Sequence, residues 1–481
     1  MPGVVVTTAV RTGPTGVNVA PASTFFVAGT AERGPINEAK LVTSLADFET
    51  YYGEYNASYS LHQQVQTFFE EGGARAYVGR AVGASATVGS LSLNATGPVA
   101  ALTITAKNPG SWSSTVTATV TVGSGFTVNL FKDGVLFYTT GAVATVAAAV
   151  DGINGSSVAS VYVSATALLP ASTLIATAST PLSTGNNGVA PTATQLVTSL
   201  DLFGSEYGAG AVAIPGQFGS TIWNGLIAHA STRNRVALLA FDPAADATTN
   251  IATAANFGTT VGSEFAAAFY PHVTIPGPGT TTLTISPEGY AAAKRSLAHN
   301  QIGPWRAGAG VLSQADFVTG LSTSVNKTTG DALDVGRVNA IRLIQGTVRI
   351  YGARSLSSDE TNYRYITYRD LLNYIVVEAE RVLEDLVFSP IDGRGTVFGR
   401  TEARLIGLLD PIRTSGGLYE AFDADGNQLD PGYSVEVSNA LNPVAQLAVG
   451  LVKAKVGVRV SSVADRIEVV VVKSNLTSSV V

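Results

Sequence analysis

At 481 residues the chain is longer than the ~250–300 residues that one hydrophobic core serves, so more than one domain is expected. Only 13% of residues are charged and 46% are hydrophobic, against about 25% charged in ordinary domains, so the surface must expose Ser, Thr, Gly and Asn or be hidden in an obligate assembly. A net charge of −6 without any Lys/Arg run excludes the basic stripe of a nucleic-acid binder, zero cysteines exclude disulfide and thiolate chemistry, and no apolar run approaches the ~18 residues of a membrane span.

The chain opens with "PGVVVTTAV" (2–10), an apolar strand pattern with neither a basic n-region nor a continuous h-region, so no signal peptide is expected. A linker with Gly13, Pro14, Gly16 and Pro21 leads to an apolar strand at 23–29. Ser44 and Asp47 fit a helix start within 43–53. "SLHQQVQTFFEEGG" reads as a second helix: Ser60 and Gln63 form a capping box, Leu61, Val65, Phe68 and Phe69 share a face, and Gly72 ends it. A strand follows at 74–82.

From 84 to 188 the composition shifts to Ser, Thr, Ala and Gly with very few charges. "LTITAKNPGSWSSTVTATVTV" and "FTVNLFKDGVLFYTT" alternate with period two, and "KDG" marks a hairpin. This block reads as an all-β insertion, with 182–192 as its return linker. The α/β pattern then resumes: a helix at 220–232, a buried strand at 235–241, a strand "EFAAAFYPHVTI", and a helix opened by Pro287. "LVTSLADFETYYG" (41–53) and "LVTSLDLFGSEYG" (196–208) agree at eight of thirteen positions. The echo fits two related halves of one sheet and fits chance similarity equally well.

In the last third the spacing predicts the longest helix at 362–388, with Leu371, Leu372, Ile375, Val376, Ala379, Val382, Leu383 and Leu386 on one stripe and Glu378, Glu380, Arg381 and Glu384 largely off it. A helix at about 396–412 carries Arg400 and Arg404 one turn apart, and "DADGNQLDPG" (423–432) marks a turn. The chain closes with "RIEVVVVKSNL" (466–476). Ile467, Val469 and Val471 fall on one strand face, Glu468, Val470 and Val472 on the other. A strand apolar on both faces belongs inside a sheet, and exposed it recruits partners.

Catalytic groups are sparse. His62, His229, His272 and His299 lack metal-ligand spacing, and neither a G-x-S-x-G elbow nor a P-loop occurs. "DADGNQLD" places its glycine at loop position four and Ser434 at position twelve, which suits a turn better than a calcium loop. The sequons at Asn56, Asn94, Asn154, Asn326 and Asn475 carry no weight without a secretory route. No enzyme, metal or cofactor is expected.

Taken together, the segments resemble the tail sheath proteins of contractile bacteriophages and related injection machines. "PGVVV", "AERGPINEAKLVTSLADFETYYG" and "YSLHQQVQTFFEEGGARAYVGRA" resemble that family's opening, and "AKNPGSWSS" its A-x-x-PG-x-W piece. "SPEGYAAAKRSLAHNQIGPWRAGAG" resembles its proline–glycine helix and G-x-W-x-A-x-A segment. "GRVNAIRLIQGTVRIYGARSLSSD" is similar to N-x-I-R…G…V-W-GARTL, with Tyr351 where tryptophan is usual. "YRYITYRDLLNYIVVEAE" is similar to the Y-V-x-V-R-R helix, with Asp370 in place of its second arginine, and "GGLYEAF" and "KVGVRVSSVADRIEVVVV" resemble the closing strands.

The resemblance implies a multi-domain α/β (α+β) fold. Mixed-sheet core domains would carry an all-β inserted domain and extended N- and C-terminal strand arms. The implied units are an N-terminal arm (1–22), a middle domain (23–83 and 189–330), an outer inserted domain (84–188), an inner C-terminal domain (331–460) and a C-terminal arm (461–481), with flexible straps after Val10 and before Arg466. It further implies that Val4, Val5, Val6 and Thr7 at one end and Ile467, Val469, Val470, Val471 and Val472 at the other join neighbouring subunits' sheets. Sixfold rings would stack helically around an inner tube protein, with baseplate and tail-terminator proteins as further partners and neither nucleic acid nor membrane insertion. The chain would sit in a virion tail assembled in the host bacterial cytoplasm and contract without nucleotide hydrolysis. Arg400, Arg404 and Arg413 would face the tube, solvated or intramolecular arginines being the alternative. A phage-derived bacteriocin or extracellular injection system stays open beside the phage tail, and a β-rich adhesin or secreted hydrolase would fit the insertion alone.

Overall fold

The structure is a computed structural model and describes residues 21–466. Strand β1 (Thr24–Gly29) is buried along its whole length, as its apolar run requires, and β2 (Lys40–Val42), α1 (Leu45–Tyr52), α2 (Leu61–Glu70) and β3 (Ala76–Arg80) follow. The start of α1 is locally encoded: Ser44 is extended, and its Oγ accepts the Asp47 N–H at 3.1 Å. The capping box expected at Ser60 does not form. Ser60 is already helical, its Oγ accepts the Thr30 N–H at 3.3 Å, and Thr30 Oγ1 accepts the Ser60 N–H at 3.1 Å. The end of α2 is as expected: Gly72, at φ +93°, lets its own N–H reach the Phe69 carbonyl and the Gly73 N–H reach that of Phe68. The adjoining Glu71 carboxylate is fully buried and accepts the N–H groups of Asp316, Phe317 and Val318 at 3.0, 2.9 and 2.7 Å, plus Lys294 Nζ at 2.7 Å.

The insertion carries β4 (Ser90–Ala95), β5 (Val99–Ala106), β6 (Val116–Val122), β7 (Phe126–Lys132), β8 (Val135–Thr139), α3 (Val146–Gly155), α4 (Ala159–Tyr162), β9 (Val163–Ala167) and β10 (Thr177–Pro181). Its sheets, ordered β10-β6-β7-β8 and β4-β5-β9, enclose a separate core around Ile104, Val116, Phe126, Leu130 and Ile153. The "KDG" turn is real, with Asp133 at φ +51° and Gly134 at +80°. The block is not all-β, however. Thr145 Oγ1 accepts the Ala148 N–H and starts α3, whose Ala/Val run has no period-two alternation and buries Val146, Ala149 and Ile153. Nor are the connections loose linkers. They lie side by side, Thr87 and Asn186 exchanging both backbone hydrogen bonds, so close that a Cβ on Gly83 would sit 1.4 Å from the Val189 carbonyl oxygen. Buried Arg80 pins this joint to the core, donating to the carbonyls of Ala31, Glu32, Gly34 and Pro109 and to Asn187 Oδ1. The same Pro109 carbonyl accepts Trp112 Nε1, which gives the "PGSW" piece its structural role.

Beyond the joint come α5 (Ala193–Thr198), β11 (Gly210–Ala213), α6 (Ser220–Arg233), β12 (Val236–Ala240), α7 (Ala247–Phe257), β13 (Ala266–Tyr270), β14 (Val273–Pro276), β15 (Thr282–Ile285), α8 (Glu288–Gln301), β16 (Gly320–Leu321), α9 (Lys327–Val335), β17 (Val338–Ile344) and β18 (Thr347–Ile350). One eight-stranded mixed sheet, β18-β17-β13-β12-β11-β1-β3-β2, runs through both sides of the insertion. Helices α2 and α8 cover one face, and α6, α7 and α9 the other. Three expectations need correction. "EFAAAFYPHVTI" is two strands, because Pro271 has no N–H for the ladder, and β14 leaves to pair with β15 and β16. The repeated "LVTSL" is not a repeated structure: its first copy is β2 running into α1, while its second ends α5. The boundary at 330/331 cuts through the large sheet, since β17 pairs parallel with β13, Ala268 opposite Val338.

The remainder comprises α10 (Ile366–Leu383), α11 (Thr396–Thr414), β19 (Ala421–Phe422), β20 (Gln428–Asp430), β21 (Tyr433–Glu436), α12 (Val444–Leu447) and β22 (Lys455–Val458). Helix α10 starts at 366 rather than 362, because Tyr365, bridged to Arg354, is extended and the residues before it form a turn and bend, and α11 is the longer helix. Glu378, expected off the apolar stripe, is buried and pairs with Arg381, whereas Val376 is exposed.

Candidate assembly interface

Strands β21 and β22 pair antiparallel, Tyr433 opposite Val458 and Val435 opposite Val456. These four side chains point onto Leu371 and Ile375 of α10, Leu409 and Ile412 of α11, and Leu418. Tyr433 also donates its hydroxyl to Asp410 Oδ1 at 2.8 Å. Among the described residues no strand pairs with the outer edge of β21. A sheet of two strands is marginal in water, and its open edge carries unpaired N–H and C=O groups.

The chain beyond β22 leaves this sheet. Leu418 and Val460 form a bridge, the Ser461 N–H reaches the Gly417 carbonyl, Tyr368 donates to Ser462 Oγ at 3.1 Å, and Tyr365 to Asp465 Oδ2 at 2.6 Å. The Tyr365 hydrogen bond comes first among the influences that hold the Asp465 carboxyl below its ordinary range. Residues 459–465 therefore pass from Gly432 and the 417–419 segment to Tyr368 and Tyr365 at the start of α10. The expected strap before Arg466 is thus held by side-chain hydrogen bonds at Ser462 and Asp465, while most of the expected arm from 461 lies outside the described residues.

The other end of the described chain has its root nearby. The carbonyl of buried Ala22 accepts Arg295 Nη1 at 2.9 Å, and Arg295 Nε donates to Asp370 Oδ1 at 3.0 Å. Burial works to raise the Asp370 carboxyl, but Arg295 and His299 beside it hold it below the ordinary range. The departure of Asp370 from arginine is thus half of a buried ion pair joining α10 to α8. Ala22 is thus held by α8, whose Arg295 pairs with Asp370 of α10, and Asp465 by Tyr365 immediately before α10.

Val4, Val5, Val6, Thr7, Ile467, Val469, Val470, Val471 and Val472 lie outside the described residues. Of the three arginines expected to face a tube, Arg404 pairs with Asp385, and Arg413 pairs with Asp410 at 3.0 Å and Glu420 at 2.6 Å. Arg400 is exposed and has no ion partner among the described residues. The histidines are dispersed. His62 meets Glu49, His272 the Phe241 carbonyl, and His229 accepts from Arg235 and is pushed down to about 3 by burial and that neighbour. No group of three or more His, Cys, Asp or Glu that could hold a metal occurs among the described residues, and no described helix is long and apolar enough to cross a membrane. The roots at Ala22 and Asp465 escaped sequence reasoning; Asp370 in an arginine position was their one visible sign.

No protein-family model and no curated protein sequence matches the chain. Solved structures do. The sheath tail protein of Listeria innocua is similar with a TM-score of 0.62 at 16% identity, covering 87% of this chain and 89% of its own. That of Desulfitobacterium hafniense has a TM-score of 0.56 at 14% identity, covering 90% and 93%. The helical sheath of the anti-feeding prophage, in its contracted state, has a TM-score of 0.56 at 16% identity, covering 99% of both chains. The chain has the multi-domain α/β fold of these sheath proteins.

Proposed function

We propose that this chain is the structural, non-enzymatic subunit of a contractile sheath, which polymerises around an inner tube and contracts to drive it through a target cell envelope. The observation that carries the reading is the β21–β22 pair: a two-stranded sheet packed on α10 and α11, with an open edge that residues 459–465 do not fill. A strand from Val4–Thr7 of one neighbour and one from Ile467, Val469, Val470, Val471 and Val472 of another would make it four-stranded. Each added hydrogen bond contributes about 0.5–1.5 kcal/mol and each buried valine about 1.5–3, repeated at every lattice contact. Sixfold rings stacked in a helix, with an inner tube, a baseplate and a tail terminator as partners, in a virion tail assembled in the bacterial cytoplasm, complete the reading. Contraction is then a rigid-body rearrangement powered by a metastable extended state.

A phage-derived bacteriocin or an extracellular injection system is the second reading, supported by the likeness to the anti-feeding prophage sheath along the whole chain. The adhesin or hydrolase alternative accounts for the insertion and leaves the terminal segments without a role. Electron microscopy of the purified protein tests the function: sleeves or rings are expected. Deleting 467–481, deleting 2–10, or substituting Val470→Pro, which removes a central donor, should each leave a soluble subunit of unchanged Tm that forms no sleeves. A truncated subunit that unfolds, or one that still builds sleeves, refutes the exchange.

A further inference from the structure

Strand exchange leaves the tip of the α10–α11 hairpin without a role. There Phe388 is fully exposed and Val387 is 53% exposed. Phe388 also has φ +63°, a left-handed conformation that costs a bulky side chain energy. An isolated subunit gains nothing from either the strain or the hydrated ring. Around the tip, Glu380, Glu384 and Asp392 are exposed without an ion partner among the described residues, against Arg394 alone of opposite sign, so its unpaired charge is net negative.

A complementary surface lies elsewhere on the same chain. Buried Asn442 closes the loop 442–453: its Nδ2 donates to the carbonyls of Ser438 and Lys453 at 3.0 and 2.9 Å, and its Oδ1 accepts the Lys453 N–H at 2.6 Å. The loop so fixed displays Val444, Val449 and Leu451, exposed by 80%, 78% and 44%. Residues 437–464 contain no acidic side chain, and Lys453 and Lys455 are exposed without an ion partner among the described residues.

We propose that the α10–α11 tip of one copy docks on the 442–455 loop of a second copy of this chain. Phe388 sits against Val444, Val449 and Leu451, with Glu380 and Glu384 facing Lys453 and Lys455. The second copy is the occupant because one chain carries both halves, matched in apolarity and opposite in charge. Two different patches make a heterologous contact, which propagates into rings or helices instead of closing as a dimer. The contact rests on the sheath-subunit reading and adds to strand exchange a lateral seat that needs neither terminal segment.

The full-length protein is assembled at low salt and the pelleted fraction measured by sedimentation, with sleeves checked by electron microscopy. Phe388→Ser and Val449→Asp should each lower the pelleted fraction about tenfold or more, as loss of a buried anchor does. Tm should stay at the wild-type value, or rise for Phe388→Ser. Reversing Glu380 and Glu384 to Lys, or Lys453 and Lys455 to Glu, should block assembly, and the chain with all four reversed should recover it. If wild type builds sleeves and Phe388→Ser builds them equally well, this contact is wrong and the sheath reading stands. Four reversals that assemble no better than two also overturn it. A wild type that stays monomeric at every salt concentration defeats the sheath reading and this proposal with it.

Discussion

Glu288 offers a test in which the sign of a pH effect follows from the structure. It lies in the first turn of α8 with its carboxyl fully buried. Oε1 accepts the Gly216 N–H at 3.2 Å, Oε2 has no partner, and burial pushes the group up to about 7 from an ordinary 4.5. The unfolded chain loses this proton near 4.5 and the folded chain only near 7. Stability is therefore untouched by the group below pH 4.5, falls between 4.5 and 7, and carries the full cost above 7. At 1.36 kcal/mol per pH decade, that cost is about 3 kcal/mol. Glu288→Gln keeps the shape and the acceptor for Gly216 but does not titrate. Urea unfolding followed by the fluorescence of Trp223, with Trp112 and Trp305 replaced by Phe in both proteins, should give a mutant-minus-wild-type stability difference about 3 kcal/mol more favourable at pH 8 than at pH 4.5. Taking the difference cancels every other titrating group. A difference constant across this range, or one that moves the other way, refutes the buried, poorly solvated carboxylate.

Glu71→Ala leaves Lys294 buried with only Asp316, at 3.1 Å, as a carboxylate partner and strips three backbone donors; denaturant melts should register a loss of about 3–5 kcal/mol, and less than ~1 would deny the clamp its role. Arg80→Met orphans the carbonyls at the joint, so limited proteolysis should cut at 83–89 and 183–189 while the insertion core stays intact; unchanged cleavage would mean that the paired connections hold without it. Arg400→Glu should weaken co-assembly with a tube while Arg404→Glu, whose charge is taken up by Asp385, acts less, and identical co-assembly of both with wild type across a salt series would remove the arginines from the tube-facing surface.

What the sequence by itself determined lies within a few residues of each determining side chain. Ser44 capping α1, Gly72 closing α2, the Asp133–Gly134 hairpin and the alternation of β6 and β7 each depend on backbone and side-chain groups no more than a turn or a hairpin apart. The buried apolar runs at β1 and β12 were likewise legible, because a strand covered on both faces has no polar positions to place. The tertiary structure decided wherever one group had two plausible partners. Ser60 bonds with Thr30 instead of the third residue of its own helix, and identical "LVTSL" segments become strand in one place and helix in the other according to what packs on them. Pro271 sends β14 to a second sheet, a choice set by β15 and β16. Arg80 and Glu71 read as ordinary charges in the sequence, and Asp370 only as an unexplained departure, yet all three are buried hubs in the fold. Their partners lie tens to hundreds of residues away, and burying a charge costs several kcal/mol unless those partners arrive together, which only the assembled core ensures.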